Sequence, residues 1–326
     1  MEWDAIVVGG GAAGLSAGVV LARTGIRVVL VENRSPRNAP AAHMHGFLSR
    51  DGMNPAALLA TGREEMVRYG GRILAATAVR AERLGTEEFR VTLDEGSELT
   101  APALLLATGA RDEMPELPGA TELWGELVHH CPHCHGREVA GQRIAVVGGA
   151  NPTMSAHQAL LMRRYSDRVT FYPNGGELTE AQRAECAAVG VTVADTSVVG
   201  IARGSHAPLE LSLDGGGVIN HDCAFIAPVS APRDAAFANL GLARAPHGAW
   251  VEVGASGRTS VEGVWAAGNL SNPRAQVITA AGEGSAAAID MTGALLVRDV
   301  ARAVAGEPAR WFSADLAQEP ASEHLH

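Results

Sequence analysis

The chain has 326 residues, which is enough for two domains of ordinary size. Hydrophobic residues make up 47% of it and charged residues 19%, a composition that excludes a disordered chain. The net charge of −10 argues against nucleic acid as the main partner, because phosphate contacts require a basic surface.

The N-terminal stretch AIVVGGGAAGL is apolar, but it is short and broken by glycine, so it does not predict a membrane span. It also lacks the basic segment and cleavage site of a secretory signal, and we therefore expect a cytoplasmic protein. Four cysteines are too few for a disulfide scaffold in a chain of this size. Cys186 and Cys223 stand alone and are predicted to be buried small hydrophobic residues.

The first elements predict a dinucleotide-binding unit. Residues 4–9 form an apolar strand, a helix pattern runs over 15–24, and a second apolar strand over 26–31 ends at Glu32. The turn after the first strand carries Gly9, Gly11 and Gly14, at the spacing that lets backbone N–H groups reach a pyrophosphate. Glu32 is placed to accept hydrogen bonds from ribose hydroxyls. Because strand, turn, helix and acid occur in register, the pattern is more specific than the glycines alone.

The middle of the chain predicts a second unit of the same kind. Residues 104–110, LLLATGA, predict a buried strand, and residues 143–172 predict a strand, a helix to about 165 and another strand. An alanine-rich helix pattern extends from QVITAAGEG to about Val304, and the polar segment from Gly306 is expected to be loosely held. The predicted fold is α/β, with two Rossmann-like, doubly wound, three-layer nucleotide-binding domains.

The stretch HHCPHCHG, residues 129–136, concentrates side chains that bind metals or carry redox chemistry. A structural zinc site needs four ligands, usually as two separated pairs, and Cys131 and Cys134 have no second pair at a suitable distance. Cysteines three positions apart at a helix start can instead form a redox-active disulfide, with Pro132 suited to the first helical position. A helix N-terminus favours the thiolate of Cys131. The sequence therefore predicts a redox pair and no metal site.

Four motifs in one order carry a family resemblance: GGGAAG, ATGA, CPHC and AAGN followed by QVITAAGEG. The order resembles the low-molecular-weight thioredoxin reductase family of FAD flavoproteins, over almost the whole chain. The resemblance implies a discontinuous FAD domain over residues 1–116 and 236–326. It also implies an inserted domain over residues 117–235 that carries the C-x-x-C pair, and a homodimer.

The same resemblance implies which residues contact FAD. The family has Asp where this chain has Asn269, which still offers hydrogen bonds. Arg37 could reach the adenosine part, Asn33 could cap the turn after Glu32, and His45 is as well suited to a flavin contact as to an ordinary loop. The full expected set is Gly9, Gly11, Ala12, Ala13, Gly14, Glu32, Asn33, Arg37, His45, Val79, Thr108, Gly109, Gly268, Asn269, Gln276 and Val277.

The second strand–helix unit departs from the family, whose members bind NADPH there with a GxGxxA turn and a following basic cluster. This chain has GGANPT at residues 148–153, with Ala150 in place of the second glycine and Pro152 in place of an N–H donor. The stretch after the next strand, YPNGG, contains no arginine to hold a phosphate. We expect a nucleotide-binding fold that does not bind NADPH. The alternative is that Arg163 or Arg164 reaches the phosphate.

A subgroup of the family has this character: the dithiol oxidases of disulfide-containing natural products, of the holomycin and gliotoxin types. The resemblance implies that Cys131 and Cys134 accept electrons from a small-molecule dithiol and pass them through FAD to O₂, giving H₂O₂. It also implies a place in antibiotic biosynthesis and self-resistance. The open alternatives are an NADPH-dependent thioredoxin-type reductase and a flavin redox sensor.

Histidines surround the cysteine pair. His135 stands where the family has an Asp acid/base, and because histidine titrates nearer to neutral pH it can accept a thiol proton. His130, adjacent to Cys131, is a second candidate base. His129 and His133 are as well suited to face solvent. Trp124 could line the pocket or pack at a domain boundary.

Overall fold

The computed structural model describes residues 3–246 and 248–307. In chain order its elements begin with β1 (Ala5–Val8), α1 (Ala12–Arg23), β2 (Val28–Glu32), α2 (Pro55–Arg68), β3 (Arg72–Ala75), β4 (Ala78–Leu84), β5 (Glu88–Leu93), β6 (Glu98–Ala101), β7 (Ala103–Leu106), β8 (Ala110–Glu113), β9 (Val128–His129) and α3 (Pro132–His135). They continue with β10 (Ile144–Val147), α4 (Pro152–Met162), β11 (Val169–Tyr172), α5 (Glu180–Ala188), β12 (Thr192–Val193), β13 (Val198–Arg203), β14 (Leu209–Leu213), β15 (Val218–His221), β16 (Cys223–Ile226), β17 (Val229–Pro232), β18 (Val264–Ala266) and α6 (Val277–Val304).

The chain divides into two compact units. The first comprises Met1–Arg37, Pro55–Arg111 and Pro232–His326, and the second comprises Asn38–Asn54 and Asp112–Ala231. The segment Asn38–Asn54, which the sequence analysis placed in the FAD domain, groups with the second unit. The polar tail predicted from Gly306, including His324 and His326, lies almost entirely outside the described residues.

The first unit is built on a five-stranded sheet in the order β18-β7-β1-β2-β3, whose neighbouring strands all pair in parallel. Every residue of β1, β2 and β7 is buried, as in parallel sheets that are covered on both faces. Ala5 and Val7 face a core shared with α1 and α6, whereas Ile6 and Val8 face a core shared with the antiparallel sheet β4-β5-β6. This unit therefore has a helix–sheet–sheet layering.

The second unit repeats this layering. Its parallel sheet has the order β12-β11-β10-β16-β9. Ile144 and Val146 pack toward α4 and α5, and Ala145 and Val147 pack toward the antiparallel sheet β13-β14-β15. The α/β class with two nucleotide-binding-type units is confirmed. What the sequence did not indicate is that a small antiparallel sheet covers one face of each parallel sheet.

The two isolated cysteines are buried in the second unit. Cys186 and Cys223 have exposures of 0% and 1% and belong to the core between β10 and the helices of the second unit, so their prediction as buried residues is confirmed. Within residues 3–246 and 248–307, no helix combines the length and the apolar character that crossing a membrane requires.

Helices α1 and α6 of the first unit cross at very short range. A Cβ atom placed on Gly284 of α6 would lie 1.9 Å from the carbonyl oxygen of Ala13 in the first turn of α1. Only glycine permits this approach, because a Cβ within 3.0 Å of another heavy atom is essentially never seen. The AAGEGSAA stretch of α6 thus fixes the position of the first turn of α1.

Candidate functional site

The turn between β1 and α1 is tightly folded. Gly9 has a φ of +113°, and a Cβ there would lie 2.3 Å from the carbonyl oxygen of Ala107 at the end of β7. Gly14 likewise leaves no room, because its Cβ would meet the carbonyl oxygen of Gly9 at 1.8 Å. The predicted glycines therefore perform the expected task of a sharp turn held between two strand ends.

The N-terminus of α1 is open. Its N-cap is Gly11, and within the described residues no side chain caps the helix. A Cβ added to Gly11 would meet no heavy atom within 4 Å among those residues, so the space in front of the first turn is accessible. The N–H groups of the first turn, from Ala12 to Gly14, thus form a cradle of the kind that binds phosphate groups.

Glu32 ends β2 beside this cradle and is 3% exposed. Arg63 of α2 binds its carboxylate with two hydrogen bonds, from Nε to Oε1 at 2.6 Å and from Nη2 to Oε2 at 2.8 Å. This bidentate pair fixes the orientation of Glu32, and the hydrogen bond to Glu32 raises the pKa of Arg63. Each carboxylate oxygen keeps acceptor capacity for a ribose hydroxyl. Sequence reasoning missed Arg63, because it lies 31 positions away and no local pattern marks it.

The far side of the cradle is formed by the segment before α6. Gly268 has a φ of +70°, and a Cβ there would lie 3.1 Å from the Cβ of Ala13. The N–H of Gly268 donates to Oε2 of Glu283 at 2.9 Å, and Oε1 of Glu283 accepts from Asn272 at 2.7 Å. One side chain of α6 therefore ties together the loop that the resemblance assigned to FAD.

The hydrogen bonds of Asn269 account for the amide at this position, where the family has Asp. Its Nδ2 donates to the carbonyl oxygens of Asn272 and Ala275, both at 3.0 Å. A carboxylate cannot donate these bonds, so the amide closes the turn that leads to Gln276, the N-cap of α6, and to Val277, its first residue.

The remaining predicted cofactor residues take varied positions. Thr108 donates from Oγ1 to the carbonyl oxygen of Arg233 at 2.6 Å, and Gly109 follows it with a φ of +72°. The carboxamide oxygen of Asn33 accepts from the N–H of Ser35 at 3.1 Å, which is the predicted turn cap. Arg37 is half-buried and Val79 is 50% exposed.

The C-x-x-C pair lies at the start of α3, as predicted. Cys131 is the N-cap, Pro132 is the first helical residue, and the N–H groups of Cys134 and His135 donate to the carbonyl oxygen of Cys131 at 3.0 and 3.1 Å. Because α3 has only four residues, its dipole stabilises a thiolate less than the dipole of a longer helix would. Both cysteines are half-buried.

Helix α4 and the residues just after it pack against the segment that carries the cysteine pair. Gln158, which is 6% exposed, donates from Nε2 to the carbonyl oxygen of His130 at 2.6 Å. A Cβ on Gly136 would meet the ring of Tyr165, just beyond α4, at 2.5 Å. Sequence reasoning missed Gln158, which holds the residue just before the cysteine pair.

The histidines are packed more closely than expected. The rings of His129 and His135 stack with centroids 4.5 Å apart and planes at 19°. His129 is 7% exposed, so the suggestion that it faces solvent is wrong, whereas His133 is exposed. Burial, with the charge of His135 second, lowers the pKa of His129 to about 4. The ring of His130 lies against Trp124, with centroids 6.5 Å apart.

His45 belongs to the same unit as these histidines. Its Nε2 lies 3.4 Å from Oε1 of Glu138, and its Nδ1 lies 3.4 Å from Oδ2 of Asp51. The structure thus gives His45 two acidic partners that the sequence analysis did not name. The pKa of His135 is lowered mainly by burial; the charge of Glu138 opposes this and the charge of His45 adds to it.

The N-terminus of α4, after the second glycine turn, is capped by a side chain, unlike the N-terminus of α1. Asn151 is the N-cap of α4, and its side chain accepts from the N–H of Met154 at 3.1 Å. The N–H of Gly149 donates to Oγ of Ser155 at 3.1 Å, and Pro152 has no N–H. Two N–H groups of this turn are thus engaged by the protein's own side chains, and a third position has none, which leaves fewer donors for a pyrophosphate than at α1.

Arg163 does not point to this turn. Its Nε donates to the carbonyl oxygen of Val189 at 2.7 Å and its Nη1 to that of Ser166 at 3.1 Å, both beyond the C-terminal end of α4. Arg164 is exposed at the same end of the helix. No group of three or more His, Cys, Asp or Glu side chains in the described part of the chain is arranged to hold a metal ion.

The sequence profile of the pyridine nucleotide-disulphide oxidoreductase family matches residues 3–284. The chain belongs to this family. Among solved structures, this oxidoreductase is similar to HlmI, with 42% sequence identity, a TM-score of 0.90 and coverage of 94% of this chain and 96% of that one. It is also similar to an oxidoreductase from Agrobacterium tumefaciens, with 33% identity, a TM-score of 0.85 and coverage of 91% and 99%.

Two proteins that bear the name thioredoxin reductase are similar in sequence. One, tcpT of Claviceps purpurea, is 33% identical over 283 residues, which is 82% of this chain and 86% of that protein. The other, aclD of Aspergillus oryzae, is 37% identical over 187 residues, which is 55% of this chain and 59% of that protein. The predicted thioredoxin-reductase-like character is confirmed by these similarities.

Members of this oxidoreductase family generally bind FAD, and the first unit fits a dinucleotide. The open N-terminus of α1 and the oriented carboxylate of Glu32 correspond to the expected pyrophosphate and ribose contacts, and the tight loop at Gly268 belongs to the residues that the resemblance assigns to FAD. These three features lie in one unit, whereas His45 lies in the other. The individual cofactor contacts and the predicted domain boundaries stay predictions.

Proposed function

We propose that this oxidoreductase is an FAD-dependent dithiol oxidase that closes an intramolecular disulfide in a small-molecule dithiol. The overall reaction is dithiol plus O₂ giving cyclic disulfide plus H₂O₂, so two electrons and two protons pass from the thiols to oxygen. The observation that carries the proposal is the contrast between the two helix N-termini: α1 is uncapped within the described residues, and α4 is capped by its own side chains.

The capped N-terminus of α4 bears on whether NADPH or a substrate thiol supplies electrons to the protein. NADPH needs free N–H donors and a basic group for its 2′-phosphate. At α4 two N–H donors are engaged by Asn151 and Ser155, and Arg163 is engaged at the opposite end of the helix. Binding NADPH there would require breaking these internal hydrogen bonds. Electrons are therefore supplied by substrate thiols at the cysteine pair.

The protein's own groups would act as follows. His135, kept neutral by burial, takes a proton from a substrate thiol, and the resulting thiolate attacks Cys131 of the Cys131–Cys134 disulfide. The attack breaks the disulfide and releases Cys134 as a thiolate, which takes the proton of the second substrate thiol. That second thiolate attacks the substrate sulfur bound to Cys131 and expels Cys131, which receives the proton held by His135, so the cyclic product leaves and two cysteine thiols remain. The cradle of the first unit would hold FAD, which when bound supplies two-electron redox chemistry between the cysteine thiols and O₂.

Two of the similarities support the thiol–disulfide part of this proposal. The names of tcpT and aclD describe thioredoxin reductases. Those names equally favour a second candidate, an NADPH-dependent disulfide reductase. The closed turn at α4 weighs against that candidate. We further propose that the protein is a cytoplasmic homodimer.

An anaerobic titration decides between the two candidates. Under the proposal, a panel of small dithiols bleaches the visible absorption of the flavin in the FAD-loaded protein, and NADPH does not. In air, the same dithiols consume one O₂ per disulfide formed. Cys134→Ser should keep its flavin and lose both responses. Bleaching by NADPH, with no response to any dithiol, would overturn the proposal in favour of the reductase.

A further inference from the structure

The redox turn, residues 130–136, is attached to the rest of the second unit at both of its ends. At the first end, Nε2 of Gln158 donates to the carbonyl oxygen of His130 at 2.6 Å. At the second end, Gly136 is packed so closely that an added Cβ would lie 2.5 Å from the ring of Tyr165. Helix α4 and the residues just after it therefore hold the turn that carries both cysteines.

The side chain of Gln158 is buried, with an exposure of 6%. Its Oε1 atom is buried as well and has no hydrogen-bond partner among the described residues. Burying a carboxamide costs free energy that only its hydrogen bonds recover. A methionine would fill a similar space without this cost. The bond to the carbonyl of His130 is therefore what a glutamine contributes at this position.

Helix α3 is too short to hold the cysteine pair by itself. It has four residues, and a single helical turn is not stable alone. Within it, the N–H of Cys134 donates to the carbonyl oxygen of Cys131 at 3.0 Å. The carbonyl of His130 precedes the N-cap and so accepts no bond from the helix. Gln158 thus fixes the peptide group that leads into Cys131, which the helix itself leaves unsupported.

We propose that Gln158 is a positioning residue that stabilises the disulfide form of the Cys131–Cys134 pair and thereby lowers its reduction potential. Holding Cys131 in place raises the effective concentration of one thiol at the other, because less conformational freedom is lost when the two sulfur atoms join. A more stable disulfide has a lower reduction potential. The inference rests on the proposed function, because the same pair would accept electrons from the substrate dithiol.

The test measures the equilibrium between the cysteine pair and glutathione in the anaerobic, FAD-loaded protein. The disulfide bond between Cys131 and Cys134 breaks, and two glutathione thiols join as a disulfide. Two electrons and two protons pass from the glutathione thiols to the cysteines. After acid quenching and alkylation, mass spectrometry of the peptide that contains both cysteines gives the reduced fraction at each glutathione ratio.

Removal of the amide should make the pair easier to reduce. In Gln158→Met we expect the equilibrium constant for reduction by glutathione to rise on the order of five-fold, which is about 20 mV at about 30 mV per ten-fold. Gln158→Leu should shift the constant in the same direction, and it serves if the methionine variant does not fold. His157→Met is the matched control, because His157 is the exposed neighbour of Gln158 on the same helix. It should match the wild type.

The outcomes separate a positioning role from a structural one. Wild-type equilibrium constants in both Gln158 variants, or a shift toward a more stable disulfide, would overturn the inference. So would the failure of both variants to fold, since Gln158 would then be a structural residue. Should the wild type oxidise no dithiol in air, the proposed function fails, and the glutathione equilibrium still decides the role of Gln158.

Discussion

The crossing of α1 and α6 leads to a sharp prediction about Gly284. In Gly284→Ala the new Cβ starts 1.9 Å from the carbonyl oxygen of Ala13, and the two helix backbones must separate by about 1 Å to relieve it. Overpacking of this kind costs about 1–3 kcal/mol, and a clash with backbone rather than with a flexible side chain belongs at the upper end. Replacing a helical glycine by alanine gains about 1 kcal/mol. The net loss is therefore about 2 kcal/mol.

Gly293 on the same helix is the matched control. A Cβ there meets nothing within 4 Å among the described residues, so Gly293→Ala should show only the helix-propensity gain of about 1 kcal/mol. At equal FAD excess and scan rate, we expect Gly284→Ala to melt about 4–8 °C below the wild type and Gly293→Ala above it. Gly284→Ala should also lose FAD more readily, because Ala13 belongs to the cradle. A Gly284→Ala protein that melts at or above the wild-type temperature would refute the argument from close helix approach.

Three further predictions concern single side chains. Arg63→Met should weaken FAD binding on the order of ten-fold in a fluorescence titration, because it leaves the buried Glu32 carboxylate without its bidentate partner; equal Kd values for this variant and the exposed Arg68→Met would contradict that role. Burial lowers the pKa of His129 to about 4, so between about pH 6.5 and pH 4 the unfolded chain binds a proton at His129 that the folded protein does not. The free energy of unfolding should therefore keep its full value above about pH 6.5 and fall by up to about 3 kcal/mol as the pH is lowered to 4. Urea midpoints that fall equally in His129→Gln and wild type would count against this. Asn151→Ala should lower stability by about 1 kcal/mol through loss of the α4 cap and still give no NADPH binding in a direct titration, and tight NADPH binding would contradict the prediction.

Sequence reasoning succeeded where a structure depends on neighbours along the chain. The unit from β1 to Glu32, the long helix α6 and the start of α3 at Cys131 all follow from periodicity, glycine spacing and the position of Pro132. The closed turn at α4 was also indicated, because Pro152 and Ala150 are visible in the sequence as departures from the nucleotide-binding pattern. These features need no information about residues brought together from afar.

The missed features all join distant parts of the chain. Arg63 reaches Glu32 from 31 positions away, and Gln158 reaches the carbonyl of His130 from 28 positions away. The ring of His135 in α3 stacks on the ring of His129 and helps to bury it. His45 contacts Glu138 from a segment nearly a hundred residues earlier in the chain, a separation that no local periodicity covers. Side-chain pairs of this kind depend on tertiary packing, which a single sequence does not display.

Helix α4 has a consequence for anyone who would redesign the electron source of this protein. Asn151 caps its first turn, and Gln158, two turns later, donates a hydrogen bond to the carbonyl oxygen of His130, the residue before Cys131. A change in this turn that lets it bind a pyridine nucleotide would also shift α4, and with it Gln158, which holds the residue before the cysteine pair. Under the proposed function, a change that lets α4 bind a pyridine nucleotide would therefore also move the support of the cysteine pair, and it would have to be compensated there.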